Sequence, residues 1–260
     1  MAEQEPFNPS SANPFGNIGL ASNPEPRCPC VLLLDVSGSM AEIISGETTD
    51  LGYSVDQDGK TYRAVSGGVS KIDLLNEGLK AYKEDLAQDA LASQRVEVSV
   101  VTFGKTISVE LPFTIASDFN PPVLKPDGET PMAAAISKAI DLIKERKSEY
   151  RQNGLHYFRP WIFMITDGKP TDSNHLIQEA SSKIKEGEKN KAFAFFAVGV
   201  EGADLEKLSE ICVRSPIKLK GASFKEMFVW LSQSQRSVSQ STPGLESGVD
   251  LPSPTGWGSL

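Results

Sequence analysis

The sequence has few of the residues that most often build disulfide frameworks, zinc sites or nucleophilic active sites. Its 260 residues include three cysteines and two histidines. An odd and sparse cysteine count does not support a disulfide framework, and it favours the reducing cytosol. His156 and His175 are not spaced as a pair of metal ligands, so the sequence does not indicate zinc. We also find no Ser-His-Asp or Cys-His arrangement and no histidine placed as a general base.

Basic charge and long apolar runs are also scarce. Lys and Arg total 26 against 34 Asp and Glu, which gives a net charge of −8. This balance argues against binding to nucleic-acid phosphates or to an anionic membrane surface. No apolar run approaches the roughly 20 residues that span a bilayer, and the N-terminus lacks the basic start and apolar core of a secretory signal. We therefore predict a cytoplasmic protein that binds neither nucleic acid nor membrane.

Composition divides the chain into three parts. Residues 1–27 are rich in Asn, Pro and Ser, and we predict a flexible arm. Residues 28–231 carry the periodic apolar patterns of a folded domain. Residues 232–260 are rich in Ser, Pro and Gly, which predicts a disordered tail that a kinase could phosphorylate. Trp257 is then either an incidental tail residue or a short docking motif.

Apolar strand patterns alternate with amphipathic helix patterns between these arms. Residues 30–34 are apolar at every position, as expected of a strand buried on both faces. Ile72, Leu75 and Leu79 recur at the spacing of a helix that packs by one face. We predict an α/β fold with a three-layer, Rossmann-like, doubly wound sheet. The sheet should be mostly parallel, with one antiparallel edge strand at residues 106–111.

Polar residues follow the predicted strands at the edge of the sheet where ligands bind in such folds. Asp35, Ser37 and Ser39 follow the first strand, Thr130 lies in a loop before a helix, and Asp167 follows a later strand. Hydroxyl and carboxylate oxygens suit a hard cation such as Mg²⁺. Taken singly, each of the hydroxyl residues Ser37, Ser39 and Thr130 is best explained as a helix cap. Taken together, at three loops of one sheet, they predict a metal site.

The same residues resemble the metal-ion-dependent adhesion site of von Willebrand factor type A (VWA) domains. The phrases LDVSGSM, from residue 34, and TPMAAA, from residue 130, further resemble the bacterial TerY/YegL-like branch of that family. The resemblance covers about residues 30–231, and its motif parts occur in the required order. It implies a VWA fold around a metal ion.

The resemblance also implies a role for each matching position. Ser37 and Ser39 would bind the metal directly through their hydroxyls. Thr130 would bind directly or through water. Asp35 and Asp167 would usually act through water, or one of them directly. The expected ion is Mg²⁺, with Mn²⁺ or Ca²⁺ as alternatives, and the remaining position would take a carboxylate from a partner protein.

The implied function is a non-enzymatic, metal-dependent protein-interaction module. Family context suggests bacterial stress response, tellurium resistance or signalling with a serine/threonine kinase or a protein phosphatase as partner. One alternative is a Mg²⁺-dependent phosphoryl-transfer enzyme with Asp35 as nucleophile. Such an enzyme would normally need a second carboxylate, where this sequence has Ser37, and a cation at the phosphate, for which Lys169 is the candidate. The other alternative is a scaffold whose metal is purely structural.

An insertion separates the Asp-x-Ser-x-Ser loop from the first long helix. Residues 41–68 contain two strand-like stretches around a Gly-containing turn, which predicts a hairpin on the rim of the metal site. We predict that it helps select the partner, with Tyr53, Tyr62 and Arg63 as contacts, and the alternative is an insertion without function. Deleting residues 51–65 should then weaken partner binding without unfolding the domain.

Overall fold

A computed structural model of the chain describes residues 20, 22–57, 60–245 and 248–259, with the backbone alone at 55–57, 60 and 62–64. Nine strands are found in these residues: β1 Cys28–Asp35, β2 Ile43–Gln57, β3 Lys60–Ser70, β4 Val96–Phe103, β5 Ile107–Ile115, β6 Trp161–Thr166, β7 Ala194–Gly199, β8 Ile217–Leu219 and β9 Gly258–Ser259. The described α-helices longer than one turn are α1 Lys71–Leu86, α2 Ala90–Arg95, α3 Met132–Gln152, α4 Asn174–Lys189, α5 Leu205–Ile211 and α6 Phe224–Ser239.

The central sheet confirms the predicted α/β class. Its strand order is β5-β4-β1-β6-β7-β8-β9. Strands β4, β1, β6, β7 and β8 run parallel to their neighbours, and β5 pairs antiparallel with β4 at the predicted edge. The structure differs at the opposite edge, where β9 pairs antiparallel with β8. The described sheet therefore has two antiparallel edge strands rather than one.

Two hydrophobic layers cover the faces of this sheet. Side chains from α1 and α6 pack with alternate residues of β1, such as Leu32 and Leu34. Side chains from α3, α4 and α5 pack with the intervening residues Val31 and Leu33. Because successive strand residues point to opposite faces, β1 needs apolar side chains throughout, which explains its uninterrupted apolar run.

The topology gathers the carboxyl ends of β1 and β6 at one edge of the sheet. From β1 the chain first adds β4 on one side and later adds β6 on the other side. The strand order thus reverses at β1, and open α/β sheets bind ligands at such a reversal. Asp35, the last residue of β1, and Asp167, the first residue after β6, lie at this point.

The predicted hairpin is confirmed as the antiparallel pair of β2 and β3. Its two ends meet at a backbone hydrogen bond from Lys71 N to Glu42 O of 3.1 Å. Tyr53 is exposed on β2, and the backbone of Tyr62 and Arg63 lies in β3. The side chains of Tyr62 and Arg63 lie outside the described part of the chain.

The C-terminal segment differs from the predicted disordered tail. Helix α6 extends to Ser239, and Ser232, Ser234 and Ser239 are buried in it. Serine fits there because its hydroxyl can donate within the helix, as Ser234 does to the carbonyl of Trp230 at 2.8 Å. These serines are closed to a kinase while α6 stays folded.

Trp257 is also packed rather than incidental. Its ring is buried, and its centroid lies 5.2 Å from that of Trp230 on α6. The Trp230 indole in turn donates to the carbonyl of Pro252 at 2.6 Å. The apolar anchor at the end of the chain therefore belongs to the domain.

The predicted N-terminal arm, residues 1–27, lies mostly outside the described residues. Its last residue, Arg27, is buried, and its guanidinium donates to Glu97 at 2.9 Å. Arg146 and Tyr150 bind the other oxygen of the same carboxylate. A buried charge needs such partners, so the folded domain includes Arg27.

Candidate metal centre

Backbone hydrogen bonds tie the loop after β1 to the loop that carries Thr130 and to the end of β4. Val36 N donates to Phe103 O at 2.9 Å, Gly38 N donates to Gly128 O at 2.9 Å, and Asp127 N donates to Val36 O at 2.6 Å. Gly128 has φ +81°, and an added Cβ would lie 2.4 Å from Lys105 N. Only glycine fits this left-handed, crowded position. The loop that carries Thr130 is thereby held against the loop after β1.

Asp35 is fully buried at the end of β1 and accepts hydrogen bonds on both oxygens. Its Oδ1 accepts from Ser37 N at 2.8 Å, and its Oδ2 accepts from Thr166 Oγ1 at 2.5 Å. Burial, together with the negative charge of Asp167, raises the pKa of Asp35 to about 6. Two carboxylates so placed repel each other, and a cation between them would lower the energy of both.

The serine hydroxyls connect Asp35 and its loop to Asp167. Ser37 Oγ lies 3.1 Å from Ser39 Oγ, and Ser39 Oγ donates to Asp167 Oδ1 at 2.6 Å. Ser37 and Asp167 are buried, whereas Ser39 is partly exposed. The structure thus brings four of the five predicted site residues into one chain of short contacts.

Thr130 completes the predicted set. Its side chain is nearly buried, and among the described residues its hydroxyl makes no hydrogen bond. A Cβ added to Gly168 would lie 2.8 Å from Thr130 Oγ1 and 3.5 Å from Asp35 Oδ2. Gly168 therefore marks a narrow gap between the threonine and the aspartate, with room for no side chain.

The donor set fits a hard divalent cation. Adjacent ligands of octahedral Mg²⁺, bound at 2.0–2.1 Å, lie about 2.9 Å apart, and the two serine oxygens are 3.1 Å apart. The hydroxyl of Thr130 is free to bind. Among the described residues, no three His, Cys, Asp or Glu side chains gather as a metal site. A cation here would depend on hydroxyl ligands as much as on carboxylates.

A residue that was not predicted also reaches this site. The Lys71 ammonium is 2.9 Å from Asp167 Oδ2 and 2.5 Å from Glu42 Oε2. Burial by itself would lower the pKa of Lys71, but hydrogen bonds to Glu42 and Asp167 and their charges raise it. Lys169 was the candidate phosphate ligand of the enzyme alternative. Its side chain is exposed, and its Nζ lies 3.8 Å from Asp204 Oδ2. One sequence signal could have pointed to Lys71: a cation in the first turn of a helix opposes the helix dipole, so it needs acidic partners.

A family comparison matches this architecture. Residues 30–226 match the von Willebrand factor type A domain. The chain belongs to the VWA domain family. Domains of this family are generally protein-interaction modules rather than enzymes. A search of curated proteins found no match. None of the helices in the described residues is long and apolar enough to cross a membrane.

Solved structures share the VWA fold at low sequence identity. The pilus adhesin SpaC from Lactobacillus rhamnosus GG aligns with a TM-score of 0.58 and 12% identity, over 83% of this chain and 32% of SpaC. A mutant of the PilB minor pilin from Streptococcus sanguinis aligns at 0.53 and 11%, over 83% and 63%. The vWF domain of the pilus tip protein Mfa5 from Porphyromonas gingivalis aligns at 0.52 and 11%, over 84% and 98%.

The alignments cover different shares of the three related structures. This VWA chain spans less than two thirds of the SpaC and PilB chains and nearly all of the Mfa5 domain. At these identities the likeness shows the fold alone.

Proposed function

We propose that this VWA domain binds a partner protein through a divalent cation held by Asp35, Ser37, Ser39, Thr130 and Asp167. The single observation that carries the proposal is the convergence of these predicted side chains at the carboxyl edge of the sheet. Mg²⁺ is the proposed ion, with Mn²⁺ and Ca²⁺ as alternatives. When bound, it supplies an electrophilic position that an Asp or Glu of the partner can fill.

The hydroxyl ligands support an open, electrophilic site. The hydroxyl of Ser39 donates a hydrogen bond to Asp167, and that of Thr166 donates one to Asp35. Each carboxylate thus accepts a hydrogen bond from a neighbouring hydroxyl, and we propose that both would orient the ligands of a bound ion from its second shell. Neutral oxygens in direct contact quench little of a cation's charge, whereas carboxylates in the second shell orient the ligands. This arrangement favours an incoming carboxylate.

The hairpin of β2 and β3 supports partner selection beside the metal centre. The hairpin begins at Ile43, four residues after Ser39, and ends at Ser70, next to Lys71. Both of its ends are therefore close in sequence to residues of the site. The hairpin exposes Leu51 and Tyr53, which are 46% and 58% accessible. Tyrosine and arginine side chains contribute much of the energy at protein interfaces. We propose that Leu51 and Tyr53 contact the partner together with Tyr62 and Arg63.

The biological setting follows from the resemblance to the TerY/YegL-like branch. We propose a non-enzymatic role in a bacterial stress-response or tellurium-resistance system, or in signalling with a serine/threonine kinase or a protein phosphatase. A carboxylate on one of those proteins would be the ligand. The proposed compartment is the cytoplasm.

A capture experiment with matched variants tests the proposal. The wild type, Ser37→Ala and the control Ser117→Ala, an exposed serine outside the site, are immobilised and incubated with native lysate in Mg²⁺ or in EDTA. We expect a protein that wild type and Ser117→Ala retain in Mg²⁺ only, and that Ser37→Ala does not retain. Circular dichroism should be the same for all three.

Other outcomes favour the alternatives. Capture that persists in EDTA would support a scaffold with a structural metal and contradict the proposed role of the cation. Hydrolysis of a phosphate ester that disappears in Asp35→Asn would support the phosphoryl-transfer enzyme.

A further inference from the structure

Lys71 brings a fixed positive charge to the metal centre. Its side chain is 1% exposed, and its Nζ is 2.9 Å from Asp167 Oδ2, whose side chain is fully buried. Glu42, the second acidic partner of this ammonium, is 56% exposed. The pair with Asp167 is buried at both ends, whereas solvent reaches the carboxylate of Glu42 and screens that pair. Lys71 is therefore chiefly a counter-charge for Asp167.

The backbone holds Lys71 in this position. Lys71 is the first residue of α1, directly after Ser70, which forms a capping box with Asp73. Its own N–H donates to Glu42 O at 3.1 Å. Gly202, with φ +99°, lies over the ammonium, and an added Cβ would be 3.7 Å from Nζ. The lysine cannot leave without opening this packed corner.

A cation in the first turn of a helix is electrostatically unfavourable, because the amino end of the helix carries partial positive charge. A buried ammonium also loses its hydration. Both costs must be offset by Asp167 and Glu42. Without a bound ion, the carboxylates of Asp167 and Asp35 would repel each other. The ammonium of Lys71 offsets this repulsion and so holds Asp167 in place beside Asp35.

One carboxylate of the site thus has two candidate cations. Asp167 presents Oδ2 to Lys71 and Oδ1 to Ser39, on the side of the proposed metal ligands. Two cations that share one carboxylate repel each other, and the repulsion is strong where water is excluded. The presence of either one must weaken the binding of the other, by reciprocal coupling.

We infer that Lys71 is a resident counter-cation that keeps the metal centre assembled without an ion and lowers its affinity for divalent cations. This inference rests on the proposed metal site. Lys71 acts through Asp167, with which its ammonium pairs, and is therefore a positioning residue. The affinity of the site, and with it the Mg²⁺ concentration at which a partner can bind, would be set by this one side chain.

Calorimetric titration with MgCl₂ tests the inference on the full chain. Lys71→Gln removes the charge but retains a hydrogen-bond donor for Asp167, and Lys71→Arg retains the charge. Lys80→Gln makes the same change on the exposed side of α1, where Lys80 pairs with Glu77. We expect Lys71→Gln to bind Mg²⁺ roughly tenfold more tightly than wild type, within the usual range of such couplings. Lys71→Arg and Lys80→Gln should match wild type.

Thermal unfolding in EDTA and in Mg²⁺ supplies a second readout. Lys71→Gln should unfold at a lower temperature than wild type in EDTA and gain more from Mg²⁺. A lysine with a merely structural role would lower the unfolding temperature without tightening Mg²⁺ binding.

The outcomes separate this inference from the proposed function. If wild type binds Mg²⁺ and Lys71→Gln binds it no more tightly, the inference is overturned and the metal site stands. If Lys71→Gln binds and wild type does not, the inference is supported in its strongest form. If neither binds Mg²⁺, the proposed metal site is wrong and the inference falls with it.

Discussion

Ser39 and Asp167 are 128 positions apart in the chain, yet the hydroxyl of Ser39 donates to Asp167 Oδ1 over 2.6 Å. This hydrogen bond fixes where the serine proton points. Because the proton faces Asp167, the lone pairs of Ser39 Oγ face away from the carboxylate. Ser37 Oγ lies 3.1 Å from Ser39 Oγ, so the two hydroxyl oxygens form an adjacent pair.

The first prediction concerns this hydrogen bond. Ser39→Ala removes one proposed ligand and leaves Asp167 with Lys71 as its remaining side-chain partner. We expect the affinity for Mg²⁺ to fall about 10–100-fold, as measured by calorimetry. The unfolding temperature in EDTA should change little, because Ser39 is partly exposed. Ser39→Thr retains a hydroxyl and serves as the control. Wild-type Mg²⁺ affinity in Ser39→Ala would show that this hydroxyl is not a ligand.

A second prediction uses the gap at Gly168. In Gly168→Ala the new Cβ would be 2.8 Å from Thr130 Oγ1, so the threonine must move away. We expect Mg²⁺ affinity to fall about tenfold, with a loss of unfolding free energy of about 1–3 kcal/mol from overpacking.

The control for this variant is Gly248→Ala, where an added Cβ has no neighbour within 4 Å. Both variants are compared by calorimetry and by urea denaturation. If Gly168→Ala binds Mg²⁺ like Gly248→Ala, Thr130 is not required at the site.

A third prediction separates the hairpin from the metal. Asp50 and Val65 are paired across β2 and β3, so residues 51–64 can be replaced by an Asn-Gly turn without disturbing the base. We expect partner capture to weaken at least about thirtyfold, because losing one interface hot spot costs about 2 kcal/mol or more. Mg²⁺ affinity and the unfolding temperature should not change.

Tyr53→Ala gives the same test at a single position. Its ring is exposed and so contributes little to folding, and its loss should weaken capture alone. Unchanged capture by the shortened protein would make the hairpin an insertion without a role in binding.

A fourth prediction concerns the C-terminal anchor. Trp257 is buried against Trp230, and truncation of a buried Trp to Ala costs about 3–5 kcal/mol. We expect Trp257→Ala to lower the free energy of unfolding by about that amount in urea denaturation. Leu245→Ala, at an exposed apolar residue of the same segment, should be neutral. Equal stability of the two variants would mean that the segment does not stabilise the domain.

The features that could be predicted from the sequence depend on local pattern. The apolar run of β1 predicts a strand buried on both faces, and the polar residues after β1 and β6 predict a site at one edge. The hairpin follows from strand-like stretches around a glycine turn. Each strand, loop or turn is recognised from its own contiguous segment, and the parallel topology then brings the separate loops of the site to one edge.

The features that could not be predicted depend on distant contacts. Lys71 reaches Asp167 across 96 positions, and its unfavourable place in the first turn of a helix indicates a need for acidic partners without saying which residues they are. The serines of α6 have the composition of a disordered tail, yet Ser232 donates to Asp85 across 147 positions at 2.6 Å. The packing of Trp257 similarly depends on Trp230, a residue of another element. Composition does not report such partners.

The hydrogen bond between Lys71 N and Glu42 O closes the two ends of the hairpin into a narrow neck. The segment between these residues, strands β2 and β3, is therefore a replaceable insertion. A hairpin of another length or sequence could begin after Glu42 and end before Lys71 without changing this pair. Changes in this insertion could alter which partner protein is bound while Asp35, Ser37 and Thr130 stay unchanged. The same hydrogen bond holds Lys71 at the base of the insertion. Any replacement hairpin would therefore leave the proposed effect of Lys71 on cation affinity unchanged.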